Sequence, residues 1–97
     1  MASPLRDLFN EFPGLPDQLL VGASEDPALR NALRQKGSFV LVYETDGEYT
    51  ACCLDADTSM SKLANTLQEE CVEYLIRDGK FLQYKLESTV TILEDGV

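Results

Sequence analysis

Between Ser38 and Asp55 the chain carries two runs of strand-forming residues joined by Asp46-Gly47, and no other segment constrains the fold as much. Asp-Gly suits a two-residue type I′ turn, in which both central residues need positive φ. Such a turn pairs Thr45 with Glu48, and the register follows: Phe39 opposite Leu54, Leu41 opposite Cys52, Tyr43 opposite Thr50. These six side chains share one face, while Val40, Val42 and Glu44 share the other with Cys53, Ala51 and Tyr49. Both faces are largely apolar, whereas a sheet wetted on one side would alternate apolar with polar residues. Each face therefore needs a cover.

The flanking segments supply candidates. Ser3-Pro4 is a cap followed by a proline suited to a first helical position, and Leu5, Leu8, Phe9 and Phe12 then recur at helical spacing. Pro13-Gly14 ends that helix. Residues 15–24 hold Pro16, Gly22 and the short apolar group Leu19-Leu20-Val21, and read as a loop with one helical turn. Asp26-Pro27 opens a second short helix, over about residues 27–36, that places Leu29, Ala32 and Leu33 on one face and stops at Gly37. After the hairpin, Asp57, Thr58 or Ser59 can cap a long helix. Met60, Leu63, Ala64, Leu67, Cys71, Tyr74 and Leu75 follow its i, i+3, i+4, i+7 stripe, Val72 and Ile76 widen it, and Gly79 stops it. From Leu82 the period changes to two: Leu82, Tyr84, Leu86, Val90 and Ile92 alternate with Gln83, Lys85, Glu87, Thr89 and Thr91. That is one long strand, or two joined by a bend near Glu87-Ser88.

The expected fold is α+β. A three- to four-stranded antiparallel sheet carries one long helix on one face, in the order α-α-β-β-α-β with the last strand whole or split. The 97 residues make one domain, with a helix and an irregular segment over residues 1–25 and the core over 26–97. The second sheet face calls for the N-terminal helices or for a second copy of the chain, so a homodimer enters the expectations.

Composition removes most catalytic chemistry. Histidine is absent, which excludes Ser–His and Cys–His nucleophile pairs within one chain and the commonest metal ligand. Cys52, Cys53 and Cys71 lack zinc-ligand spacing. Asp55-x-Asp57-x-Ser59 begins like a calcium loop, but Met60 stands where glycine is needed and Thr66 where the bidentate glutamate is needed. The glycines are scattered at element boundaries, so no phosphate-binding loop can be placed. The expectation is a protein that is not an enzyme and uses no cofactor or metal. An odd number of cysteines, with two adjacent, reads as free thiols packed in the core of a protein from a reducing, cytoplasmic compartment. There is no secretory leader pattern and no apolar run long enough for a membrane helix.

Charge is what remains to act through. Seventeen Asp and Glu oppose eight Lys and Arg, for a formal net charge of −9. Such a chain is repelled by nucleic acid and anionic membrane and steered toward basic partners. Arg30, Arg34 and Lys36 form the one local basic group. The acidic candidates are Glu44, Asp46 and Glu48 around the hairpin turn, and Glu69, Glu70 and Glu73 on the outer face of the long helix. They point to an acidic protein-binding module, an adaptor, antagonist or inhibitor that docks on a basic surface of a larger protein, including by mimicry of nucleic-acid phosphates. A solvated acidic surface serving solubility alone is the bland alternative. A structural subunit self-associating through the sheet would instead use Leu82, Tyr84, Leu86, Val90 and Ile92. A third reading is a small-molecule pocket between the long helix and the sheet, lined by Tyr49, Tyr74 and Tyr84.

Overall fold

The Asp46-Gly47 turn forms with both residues at positive φ, 52° and 83°. In the computed structural model, which describes residues 4–55, 60–87 and 89–93, it joins β1 (Phe39–Thr45) to β2 (Glu48–Leu54). The register is the expected one, from Thr45 opposite Glu48 to Phe39 opposite Leu54. On the other side of β1 lies β3 (Tyr74–Arg77), antiparallel, with Val42 opposite Tyr74 and Val40 opposite Ile76. A two-residue β4 (Lys80–Phe81) completes a sheet of order β2-β1-β3-β4. A second sheet is the hairpin of β5 (Gln83–Leu86) and β6 (Val90–Leu93). The long alternating tail is thus split, and Glu87 N–H donates to the Thr89 carbonyl at 2.9 Å within the bend.

The fold is α+β with four short helices, and the expected long helix is not among them. α1 spans Pro4–Glu11, α2 Asp17–Glu25, α3 Pro27–Leu33 and α4 Met60–Glu69. The stripe through Cys71, Tyr74 and Leu75 belongs instead to a turn and to β3. Val72, Tyr74 and Ile76 are β-branched or aromatic, which favours extended backbone. Packing decides the outcome. The neighbours Leu75 and Ile76 are 1% and 0% exposed and lie in two different cores, an arrangement a strand satisfies because successive side chains point to opposite faces. Asp78-Gly79, read as a helix stop, is a second Asp-Gly hairpin turn, with φ of 53° and 75° and Arg77 opposite Lys80.

The segment read as a loop is a full helix. Pro16 precedes α2, Asp17 lies in its first turn, and Leu19, Leu20 and Ala23 are buried. Gly22, which argued against a helix, lets the Tyr49 ring approach: a Cβ there would lie 3.3 Å from Tyr49 Cδ2. α3 begins where Asp26-Pro27 predicts. The Asp26 carboxylate accepts from Ala28 N–H at 3.0 Å and Leu29 N–H at 3.4 Å. The caps expected at Ser3 and at residues 57–59, and with them Asp57 and Ser59 of the trial calcium loop, lie outside the described residues.

Both sheet faces are covered. Val40, Val42 and Ile76 pack against Leu8, Leu19, Leu20, Leu29 and Leu33 of α1–α3 and against Phe12, just after α1. Phe39, Leu41 and Leu75 pack against Leu63, Ala64 and Leu67 of α4 and against Val90. The face that called for the N-terminal helices or a second copy is closed by α1–α3, which removes that reason for a homodimer. Leu82, Tyr84, Leu86, Val90 and Ile92, the self-association candidates, pack on the second core of their own chain, with Val90 buried and the others half-buried. Cys52, Cys53 and Cys71 are all exposed rather than packed in the core.

Candidate docking site

The turn end of the hairpin gathers residues from three parts of the chain. The β1–β3 register brings Glu73 beside the end of β1, where its N–H donates to the Val42 carbonyl at 2.7 Å. α2 crosses the same end on the α1–α3 side of the sheet. An open groove of about 500 Å³ results, lined by Asp17, Gln18 and Val21 of α2, Glu44, Gly47 and Tyr49 of the hairpin, and Glu73 and Tyr74. Tyr49 and Tyr74 contribute its aromatic surface, with ring centroids 6.2 Å apart and planes at 37°. Tyr74 packs edge-on against Phe81 at 5.0 Å, which fixes its ring from behind. Among the described residues, the lining contains three carboxylates and neither Lys nor Arg.

A second groove, of about 390 Å³, adjoins the first at Gly47 and Tyr49 and adds Glu25, Asp26 and Glu48 to the acidic surface. On the α4 side of the sheet a smaller apolar groove of about 280 Å³ is lined by Leu41, Tyr43, Cys52, Leu54, Thr66 and Glu70. The Tyr43 hydroxyl donates to Glu70 Oε2 at 3.3 Å. Its pKa is pushed up to about 12, chiefly by burial and then by the charge and hydrogen bond of Glu70. Tyr74 is also pushed up, first by burial, then by Tyr49 and its hydrogen bond, then by Glu73 and Glu44. The Glu44 carboxylate accepts from Gly47 N–H at 3.0 Å, which holds it against the turn.

The two acidic groups predicted separately are therefore neighbours. Glu44 and Glu73 share one groove, Glu48 lines the next, Glu70 lies on the opposite face and Asp46 sits exposed at the turn. Glu69 ends α4 and lines none of these grooves. Glu70 and Glu73 follow the helix rather than riding its outer face. The three tyrosines do not form one pocket: Tyr49 and Tyr74 flank the first core and Tyr84 the second. Asp17, Gln18 and Val21 were missed because α2 was read as a loop. The available signal was Pro16-Asp17 ahead of Leu19, Leu20 and Ala23, the proline-and-acid start seen again at α3.

Basic side chains gather at the other end of the strands. Arg34, Lys36 and Lys80 line a cleft of about 460 Å³ with Glu11 and Asp78. Arg34 Nη2 pairs with Glu11 Oε1 at 2.9 Å, and that hydrogen bond is the main cause of the raised Arg34 pKa. The Asp78 carboxylate accepts from Gly37 N–H at 2.8 Å. Among the described residues, no group of Cys, Asp and Glu side chains converges closely enough to hold a metal ion, and no helix is long and apolar enough to cross a membrane. No protein-family model matches the chain, and no curated protein or solved structure is significantly similar to it.

Proposed function

We propose that this chain is a non-enzymatic acidic binding module that docks its hairpin-turn end on a basic surface of a larger protein. One observation carries the reading. Asp17, Glu44 and Glu73, from three separate segments, surround two tyrosine rings in a groove that no Lys or Arg lines. A solvated acidic face serving solubility alone does not call for such convergence on aromatic surface.

A partner's Arg or Lys fits this lining in two ways. Its charge is attracted by the carboxylates, and its cationic head lies over a tyrosine face, an interaction contributing about 0.5–1 kcal/mol at an exposed site. The groove carries a local excess of negative charge, which an incoming cation offsets as it binds. At the far end Arg34, Lys36 and Lys80 offset Glu11 and Asp78, so the turn end is the more acidic of the two and is the end a positive surface favours.

The test is a groove variant, Asp17→Asn with Glu44→Gln and Glu73→Gln, compared with the unaltered chain for capture of a partner from the host. The captured partner's affinity is expected to fall steeply with added salt and to be lost in the variant, whose thermal melt stays cooperative. Affinity indifferent both to salt and to the three neutralised carboxylates would refute the reading.

A further inference from the structure

We propose that the outer edge of β2 accepts an extended segment of the basic partner as an additional strand. In a two-residue hairpin the residues flanking the turn bond to each other, and the pattern alternates from there. Glu48, Thr50, Cys52 and Leu54 therefore direct their backbone groups at β1. Tyr49, Ala51 and Cys53 direct theirs outward. The same alternation turns Val42 toward β3, and the Glu73 N–H donating to the Val42 carbonyl at 2.7 Å agrees with it. β2 is an edge of its sheet, and among the described residues no backbone hydrogen bond reaches the outward groups of Tyr49, Ala51 and Cys53.

Sheet edges are normally protected by shortness, proline, a bulge or an inward lysine. β4 has two residues and β5 and β6 four each. β2 has seven, with no proline and no lysine, and its pairing with β1 runs without a bulge. Beside it, the groove of Glu25, Asp26 and Glu48 runs along Tyr49 and Thr50 on the α2–α3 side. Arg30, on α3, does not line this groove and is held by the end of α2, its Nη1 donating to the Ala23 and Ser24 carbonyls at 3.3 and 3.2 Å. The other side of the sheet offers the apolar groove that Cys52 and Leu54 line.

An added strand alternates its side chains between these two faces. The segment that fits is extended, with Lys or Arg at every second position toward α2 and α3 and apolar residues between them toward α4. A second copy of the chain is disfavoured as the occupant, because pairing β2 with itself brings two acidic grooves together between chains of net charge −9. The inference rests on the acidic-docking reading for the sign of the partner's charge, and on outward backbone groups unpaired among the described residues for the partner's shape.

The probe is a blocked peptide of alternating Lys and Val, about ten residues long to cover the edge, titrated into the full chain beside the same peptide methylated at every backbone nitrogen. The unmethylated peptide is expected to bind at least about tenfold more tightly, since methylation removes its donors and leaves its charge. Amide exchange at Tyr49, Ala51 and Cys53 should slow on binding, with little change at Thr50 and Cys52, which already face β1. Ala51→Pro, tolerated at an edge position whose N–H faces outward, should keep the melt and lose the peptide. Equal binding of both peptides, without protection of the three amides, would overturn edge pairing and leave acidic docking standing. Absence of binding by either peptide overturns it as well. Protection of those amides in the free chain that grows with its concentration would give the edge to a second copy, and so overturn the basic segment as occupant. Failure of acidic docking itself is read separately, on the groove variant.

Discussion

The Tyr43 phenol lies beside the second core and donates a hydrogen bond to Glu70, and both conditions favour the neutral form. Up to about pH 10 the phenol is protonated in folded and unfolded chains alike. Between there and about 12 the unfolded chain ionises while the folded one resists, so this contribution to stability is lost as pH rises through that window. A spectroscopic titration should show a tyrosine ionising near pH 12 that disappears in Tyr43→Phe and ionises earlier in Glu70→Gln. An unchanged late transition in Glu70→Gln would mean that the carboxylate contributes nothing. Gly79 offers a second residue-scale test. At φ 75° a Cβ would lie 3.0 Å from Phe12 Cδ1. Gly79→Ala combines left-handed strain with that crowding and should cost about 1–2 kcal/mol in urea unfolding. Gly14→Ala, with nothing within 4 Å of its Cβ, should be close to neutral.

At the level of elements, local chemistry was a good guide wherever one signal acted alone. The Asp46-Gly47 hairpin and its register, and the start of α3 at Asp26-Pro27, were legible in the sequence. Asp26→Ala should lower stability by about 1 kcal/mol, because two N–H groups at the start of α3 lose their acceptor. Asp26→Asn should recover most of the loss, and equal melts for all three chains would show that the cap is dispensable. Where two signals competed, the sequence misled. Cys71, Tyr74 and Leu75 extend the helical spacing of Leu63, Ala64 and Leu67, yet β1 needs a neighbour on its open side, and Tyr74–Arg77 supplies it. The Asp78-Gly79 turn was visible but was assigned to a helix end, since glycine serves both purposes. Half of the candidate site was hidden for the same kind of reason. Glu44 and Glu73 were named from charge alone, but their meeting depends on β3, and Asp17 depends on α2, whose Gly22 weakened the helical reading. Helix pairing and strand pairing are tertiary outcomes that short-range spacing does not encode.

Across the whole molecule, β1 and β3 belong to both cores, with Val40, Val42 and Ile76 on one side and Phe39, Leu41 and Leu75 on the other. The two layers should therefore unfold together. Leu20→Ala in the helical core and Leu63→Ala in the α4 core should each cost about 2–5 kcal/mol and move one common transition. Separate transitions by two probes would show that the layers are independent. The same sheet sets the charge at its two ends, with Asp17, Glu44 and Glu73 at the turn and, at the other end, Arg34, Lys36 and Lys80 beside Glu11 and Asp78. Docking at the turn end requires that the acidic groove hold a cationic side chain. The direct measurement is an NMR titration of the full chain with blocked arginine, beside blocked citrulline as its neutral isostere. Shifts confined to Gln18, Gly47, Tyr49 and Tyr74, produced by arginine and suppressed by salt, are the expected result. Identical shifts from citrulline, or arginine shifts scattered over the surface without preference for that groove, would contradict it.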